Sequence, residues 1–205
     1  MAALRAELER RGVEVVTTRE PGGVAVAEKI RSVILENSMS PWTELFLYEA
    51  ARAEHLQQVI LPAMSRGTWV LCDRFTDSSL AYQGHARGLP WKKVETLNAL
   101  ATEGREPDLV VWLDIDPAEG LRAARDPNRF EAEGVAFQAK VRAGFARARR
   151  RRPTHWLKLR AHAAPAEKMA SSLAEELVRR FGPKKDLART AGIKKNLKKS
   201  PRGAR

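Results

Sequence analysis

The stretch DRFTDSSLAYQG, residues 73–84, directly follows the apolar run TWVLC at residues 68–72. A continuous run of this kind is typical of a strand that is buried on both faces of a parallel sheet. Charged side chains that come immediately after such a strand lie at the carboxyl edge of the sheet, where ligands of open α/β folds bind. This junction therefore predicts both a fold class and the location of a site.

Two further apolar runs end in the same way. VEVVTT at residues 13–18 leads into REPGG, and LVVWLDI at residues 109–115 leads into Asp-Pro. A weaker strand is predicted at residues 156–159. Helical spacing of apolar residues separates the strands, which predicts an α/β fold with a three-layer parallel sheet and helices on both faces. The helices are predicted at residues 3–11, 24–36, 42–65, 90–103, 117–125, 135–150 and 165–181.

Length and composition exclude several classes of protein. The 205 residues, 43% of them hydrophobic, suffice for one α/β domain with a sizeable core. No apolar run approaches the ~20 residues that a membrane-spanning helix needs, and the charged N-terminus does not support a secretory signal. Cys72 is the single cysteine, which excludes an intrachain disulfide and favours a reducing, cytoplasmic location.

The net charge of +12 is concentrated at the C-terminus. Residues 184–205 carry nine basic residues and one acid, or +8, which leaves about +4 for the remainder. We predict a domain at residues 1–182 and a basic, disordered tail at residues 183–205. The tail is interpreted as a solubilising extension, with nucleic-acid binding through counterion release as the alternative.

Charged residues at two strand ends suggest a phosphate site. Arg19 and Arg74 each follow a predicted strand, and the guanidinium fork matches the oxygens of a phosphate. Asp73 could hold Mg²⁺ through water or orient the phosphate of an acceptor. The alternative interpretations are solvated surface arginines and an aspartate that caps a turn.

Five motifs in order resemble the thymidylate kinases. Asp-Arg-aromatic, a Ser and then Ala-Tyr-Gln-Gly form the signature of that family, and DRF with SSLAYQG matches it closely. REPGG resembles the loop after the family's second strand. The similarity extends from about residue 2 to about residue 181. The other three similar segments are LFLYEAARAEH at 45–55, PDLVVWLD at 107–114 and NRFEAEG at 128–134.

The resemblance implies an enzyme with the fold of the P-loop nucleoside monophosphate kinases. Its implied reaction is the phosphorylation of dTMP to dTDP with ATP and Mg²⁺, in dTTP synthesis. It also implies a cytoplasmic homodimer. The alternatives are a kinase for another nucleoside monophosphate, an inactive truncated relative, and a nucleic-acid-binding protein that acts through its basic tail.

The resemblance assigns roles at the base and the sugar. Tyr48 stands where the family's stacking aromatic stands, more often Phe, and Arg52 lies one helical turn further on, where it would hydrogen-bond the base. Gln83 and Ser79 match positions near the base edge, and Tyr82 matches a tyrosine under the sugar that disfavours a 2′-hydroxyl. The alternative interpretations are a surface arginine at 52 and a core tyrosine at 82.

The resemblance also assigns residues to the phosphate of the acceptor nucleotide. Arg74 would grip the acceptor phosphate, Asp73 would lie near Mg²⁺, and Arg19 is a second phosphate ligand. Glu20 and Pro21 would shape the sugar pocket. None of them needs to be a strong base, because phosphoryl transfer depends on positioning and charge neutralisation. The implied substrate-binding residues are Arg19, Glu20, Pro21, Tyr48, Arg52, Arg74, Ser78, Ser79, Tyr82 and Gln83.

A basic lid is expected at about residues 122–134. Arg125 and Arg129 are the arginines that we expect to reach the transferring phosphate, so that Asp73, Arg74, Arg125 and Arg129 form the catalytic set. Asn128 replaces the Asp that is common in the family's lid. The alternative interpretation is a solvated basic loop.

The loop that holds ATP in this family does not occur in these 205 residues. The family begins with a strand and G-x-x-x-x-G-K-[ST], whereas Met1 corresponds to a position a few residues into the following helix. Roughly 15–20 residues are missing relative to the family, either because the start lies upstream or because the gene is truncated. Absence of a central strand leaves two sheet edges unpaired, so we expect these residues alone to be poorly stable and weakly active.

Overall fold

Four short parallel strands form the centre of the fold in a computed structural model that describes residues 1–124, 128–162 and 164–182. The predicted α/β class with parallel strands is confirmed. The tail at residues 183–205 and its predicted disorder lie outside the described residues. The strands are β1 (Val15–Arg19), β2 (Trp69–Asp73), β3 (Val110–Asp114) and β4 (Trp156–Arg160).

The strands are paired as two separate two-stranded sheets. In the first, β1 runs parallel to β2, with Val15 opposite Trp69 and Arg19 opposite Asp73. In the second, β3 runs parallel to β4. Within the part of the chain that the structure describes, no ladder of hydrogen bonds joins the two pairs.

Helices alternate with the strands as the sequence predicts. The predicted boundaries are met within a few residues, but the expected long helix at 42–65 is broken by a π-helical turn at Leu56–Ile60. Pro62 lies just beyond this turn and has no N–H to donate to the carbonyl of Gln58. The α-helices are α1 (Ala2–Arg10), α2 (Ala25–Glu36), α3 (Pro41–His55), α4 (Leu61–Ser65), α5 (Thr76–Ser79), α6 (Trp91–Ala101), α7 (Pro117–Ala123), α8 (Arg129–Ala132), α9 (Gly134–Arg151) and α10 (Ala166–Phe181).

Helices α1 and α10 cover one face of the β1–β2 pair and reach the residue that precedes β3. Leu8 of α1 and Leu177 of α10 pack in one cluster with Val15 of β1 and Leu71 of β2. Leu109, which directly precedes β3, joins the same cluster. The shared cover places the two pairs side by side in one layer, although they are not hydrogen-bonded to each other.

The opposite face packs against α3, α6 and α9. Trp156 of β4 and Trp112 of β3 pack there with Leu45 of α3, Trp91 of α6 and Ala148 of α9. The expected three layers, with helices on both faces, are therefore present.

A glycine brings α9 against the segment that follows β2. This segment consists of α5 and a π-helical stretch at Leu80–Ala86. A Cβ on Gly144 would lie 2.7 Å from Cα of Ala81 and 2.9 Å from its carbonyl oxygen. The absence of a side chain at this position therefore permits the close packing that holds Tyr82 and Gln83 in place.

A buried carboxyl lies at the start of α5. Asp77 is 5% exposed, and the nearest guanidinium nitrogen, of Arg152, is 4.0 Å from Oδ1. Among the described residues its Oδ2 has no hydrogen-bond partner. Burial raises the pKa of Asp77 to about 6, because the charged form is poorly solvated there.

The raised pKa of Asp77 predicts a pH-dependent stability. Since the folded chain binds this proton more tightly than the unfolded chain, the contribution is most favourable below about pH 4 and is lost as the pH rises through 6. Asp77→Asn cannot titrate. The difference in unfolding free energy between the native chain and the variant should therefore change by about 2–3 kcal/mol between pH 4 and 7. Urea unfolding of both chains measures it, and an unchanged difference would contradict the assignment.

Candidate functional site

A cavity of about 100 Å³ opens where β1, β2 and α3 converge. It is the location that the sequence predicts, because the residues after β1 and β2 meet at one edge of the sheet. The backbone N–H of Glu20 donates to the carbonyl of Asp73 at 2.9 Å, which ties the two loops together. Eight of the residues predicted to bind substrate line it: Glu20, Pro21, Tyr48, Arg52, Arg74, Ser78, Tyr82 and Gln83.

Arg52 is the centre of a buried polar network. Its Nε donates to Glu20 at 2.7 Å, and one terminal nitrogen donates to Glu49 and Asn98, each at 2.8 Å. The other terminal nitrogen donates to Ser79 at 3.1 Å. A guanidinium has five N–H groups, so four are bound by residues that the structure describes and one stays free for a ligand. Arg52 is 1% exposed, and its orientation is therefore fixed.

The charges of this network do not balance as simple ion pairs. Glu20 and Glu49 both bind the single positive charge of Arg52, and burial raises the pKa of Glu49. Two carboxylates that share one cation in a dry environment favour retention of a proton. Removal of Arg52 would therefore leave two buried carboxyl groups without a cation.

His55 extends the network behind Glu20. Its Nδ1 lies 2.9 Å from Glu20 Oε1, and its Nε2 lies 2.6 Å from the hydroxyl of Thr18. A Cβ on Gly23, whose φ is +84°, would lie 2.8 Å from the imidazole, so only glycine fits there without strain. Sequence reasoning missed His55, although it lies one turn beyond Arg52 on the same helix.

Glu20, His55 and Cys72 offer ligand atoms that all lie within 4.8 Å of one another. The Glu20 carboxylate is already bound to Arg52 and to His55. Burial raises the pKa of the Cys72 thiol far above its usual range, and sulfur is a poor ligand for Mg²⁺. The cluster therefore acts as a hydrogen-bonded support for Arg52.

Aromatic rings form the walls of the cavity. Tyr82 meets Phe130 edge to face at 5.7 Å, and Tyr48 lies 6.5 Å from the same ring. Burial raises the pKa of Tyr48 to about 12, so its hydroxyl keeps its proton. Phe130 is 5% exposed and comes from α8. Sequence reasoning placed it in the lid and missed it as a wall residue. The flat space suits an aromatic ring.

Two arginines line the cavity in addition to Arg52. Arg74 has φ of +68°, a left-handed conformation that is costly for a residue with a side chain. Its guanidinium lies 4.9 Å from the centre of the Tyr82 ring. Arg31, which sequence reasoning missed, donates to the carbonyl of Pro21 at 3.1 Å and also lines the cavity.

Arg19 and Ser79 lie beside the cavity. Arg19 is exposed and donates to both oxygens of Glu28 at 3.0 Å, so its role as a phosphate ligand stays a prediction. Ser79 is 1% exposed and accepts from Arg52, so in this structure it supports the arginine.

Two predicted catalytic residues that the structure describes, Asp73 and Arg129, do not line the cavity either. Asp73 is exposed at the end of β2 and forms no ion pair with a described residue. Arg129 donates to Glu44 at 2.6 Å and to the carbonyl of Ile34, and its catalytic role stays a prediction. Arg125 lies outside the described residues.

The third strand end has a structural role. Asp114 at the end of β3 binds Arg142 at 2.6 Å and Lys158 at 2.8 Å. The hydrogen bond from Arg142 lowers the pKa of Asp114 to about 2. Asp116 accepts from the backbone N–H of Ala118 and caps α7. Both carboxylates are therefore explained without a ligand.

Comparison with known proteins gives a consistent result. A family model described as thymidylate kinase matches residues 1–171. The thymidylate kinase of Pelobacter propionicus is 48% identical over 151 residues, which are 68% of this chain and 69% of that protein. The thymidylate kinase of Synechococcus sp. (strain JA-2-3B'a(2-13)) is 44% identical over 167 residues, 81% of each chain.

Among the described residues, no helix is long and apolar enough to cross a membrane.

Proposed function

Because the chain belongs to the thymidylate kinase family, we propose that the cavity between β1, β2 and α3 is its dTMP site. The reaction is the phosphorylation of dTMP to dTDP with ATP as the phosphate donor, a step of dTTP synthesis. The observation that carries the assignment is the cavity itself, which combines aromatic walls with a buried, fully oriented arginine. We place the enzyme in the cytoplasm.

The polar side of the cavity supports a pyrimidine base. The free N–H of Arg52 can donate to a carbonyl of the base, while Tyr48, Tyr82 and Phe130 contact its faces and edges. A buried polar group that loses its partner costs about 1–3 kcal/mol, so a mismatched base is rejected.

The phosphate end requires positive charge near the strand ends. We assign the acceptor phosphate to Arg74 and to Arg31, since both line the same cavity. Bidentate contacts from a guanidinium fix both the position and the charge of a phosphate. Arg31 is thus added to Arg19, whose role as a phosphate ligand stays a prediction.

Mg²⁺ is proposed beside Asp73. Its carboxylate is exposed at the carboxyl end of β2 and is not engaged in an ion pair with a described residue. Mg²⁺ usually keeps several waters and binds one or two carboxylates together with substrate phosphates, so a single exposed aspartate fits. A bound Mg²⁺ would neutralise charge on the phosphates. No G-x-x-x-x-G-K-[ST] occurs in the 205 residues, so we assign no contact with ATP.

A homodimer is proposed through α2, α3 and α6. These helices pack on one another in the order α2, α3, α6. They carry large apolar side chains that are exposed, among them Val26, Val33, Phe46 and Leu100. Large apolar side chains exposed on neighbouring helices are typical of interfaces. Phe46→Glu should convert the dimer to a monomer in light scattering, and an unchanged mass would contradict this interface.

The function is tested by transfer of labelled phosphate. The chain, and a version extended upstream by the family's strand and loop, are incubated with γ-labelled ATP, Mg²⁺ and single deoxynucleoside monophosphates. The extended chain should label dTMP in preference to the other nucleotides, with loss of transfer in EDTA. Preferential labelling of another nucleotide would contradict the assignment.

A further inference from the structure

The amide of Gln83 can present either of two opposite groups to the cavity. Its NH₂ end donates hydrogen bonds and its carbonyl end accepts them. Gln83 is 1% exposed and lines the cavity, so the group that faces the ligand decides which base edge it can bind. The surroundings of the amide determine this orientation.

Glu44 fixes the orientation. Nε2 of Gln83 donates to Oε1 of Glu44 at 2.8 Å. An ionised carboxylate has acceptors only, so a flipped amide would set its carbonyl oxygen against a carboxylate oxygen. The carbonyl of Gln83 is therefore the end that stays available to a ligand in the cavity.

Glu44 is itself held from two sides. It is completely buried, and its Oε2 accepts from Arg129 at 2.6 Å. Arg87 approaches both of its oxygens at 3.4 Å. Because Arg129 begins α8, the helix that supplies Phe130 to the cavity wall, the orientation of Gln83 is tied to the placement of that helix.

Together, two groups present one donor and one acceptor to the base. Arg52 has one N–H that no described residue binds, and the bond to Glu44 leaves the Gln83 carbonyl available. Thymine offers the O4 acceptor and the N3–H donor, whereas cytosine offers a donor at N4 and an acceptor at N3. The donor of Arg52 and the acceptor of Gln83 match thymine and oppose cytosine.

We infer that Glu44 is a positioning residue that sets the preference for thymine over cytosine by holding the Gln83 carbonyl toward the base. The inference rests on the proposed dTMP site and deepens it. Glu44 does not touch the substrate. It acts through the Gln83 amide, and Arg129 acts through Glu44.

Glu44→Gln tests the inference with the smallest change of shape. A glutamine at position 44 can accept from Gln83 or donate to it, so the Gln83 amide is no longer held in one orientation. The dissociation constants of dTMP and dCMP are measured by calorimetry on the full chain. The ratio that favours dTMP should fall roughly ten- to hundred-fold, because either base can then find a partner. If Glu44→Gln only loosened the cavity, the binding of dTMP and the binding of dCMP would weaken equally and the ratio would not change.

A rescue variant and a control isolate the role. Glu44→Gln combined with Gln83→Glu places an acceptor at position 83 again, with the introduced amide at position 44 as its donor, and should recover most of the dTMP preference. Glu54→Gln makes the same change on the same helix, where the side chain bonds Gln58 at the surface, and should leave the ratio unchanged.

The outcomes separate this inference from the proposed function. If the native chain does not bind dTMP, the proposed site is wrong. If the native chain prefers dTMP and Glu44→Gln keeps that preference, the site stands and the role of Glu44 is overturned. If the variant does not fold, the native chain provides the test. NMR coupling across the hydrogen bond from the Gln83 amide to the Glu44 carboxyl is then expected. Absence of this coupling overturns the inference.

Discussion

Replacing Arg52 by methionine should lower the free energy of unfolding at pH 7 by about 3–5 kcal/mol, the cost typical of breaking a buried ion pair by removal of one partner. Glu20 and Glu49 would be left in a site where they are 2% and 8% exposed. Asn98 and Ser79 would also lose their donor. Methionine fills similar volume, so the loss reports the charge and the hydrogen bonds.

The pH dependence of the stability loss in Arg52→Met separates the effect of charge from the effect of packing. In the variant, the unpaired carboxyl groups bind protons more readily when folded than when unfolded, so the penalty should shrink as the pH falls toward 4. Urea unfolding followed by circular dichroism at several pH values measures it. Arg66→Met, at an exposed position after α4, is the control. A loss below 1 kcal/mol at pH 7 would show that the network is not held by Arg52.

Replacing Arg74 by glycine should separate stability from binding. Arg74 adopts φ of +68°, a conformation that costs a residue with a Cβ roughly 1 kcal/mol or more and costs glycine little. Arg74→Gly should therefore be more stable than Arg74→Ala by about 1 kcal/mol. Both variants lack the guanidinium, so both should lose about 2–5 kcal/mol of dTMP binding, since a charged contact to phosphate is removed.

Calorimetry and thermal unfolding of the two variants supply the measurements. Arg105→Ala, an exposed arginine that does not line the dTMP cavity, should change neither property much. Strong dTMP binding by the glycine variant would show that Arg74 is not a ligand of the phosphate. Equal stability of the glycine and alanine variants would show that the backbone at this position is not strained.

Local patterns predicted most of the fold. Strands such as Val110–Asp114 are continuous apolar runs, and amphipathic helices such as α2 repeat at the helical period, so both are visible in sequence. The burial that the sequence predicts for these strands is only partial, since Leu113 of β3 is 56% exposed. The helical segment after β2 was not predicted, because its π-helical turns at Leu80–Ala86 do not follow the 3.6-residue period. The π turn at Leu56–Ile60 was missed for the same reason.

Site residues that belong to sequence motifs were predicted, whereas contacts between residues of distant elements were missed. Tyr48, Arg52 and Gln83 belong to recognisable segments. Glu44 contacts Gln83 across 39 positions of sequence and Arg129 across 85, and no local pattern encodes such pairs. The partners of a buried charge become visible only when packing brings them together.

Calorimetric titration of the folded 205-residue chain with dTMP and, separately, with dGMP tests the proposed dTMP site. Binding of the acceptor nucleotide depends on residues that this chain contains, so ATP is left out. We expect one dTMP bound per chain, with much weaker binding of dGMP, because the chain belongs to the thymidylate kinase family. Absence of heat with dTMP from a chain that circular dichroism shows to be folded, or equal binding of dGMP, would contradict it.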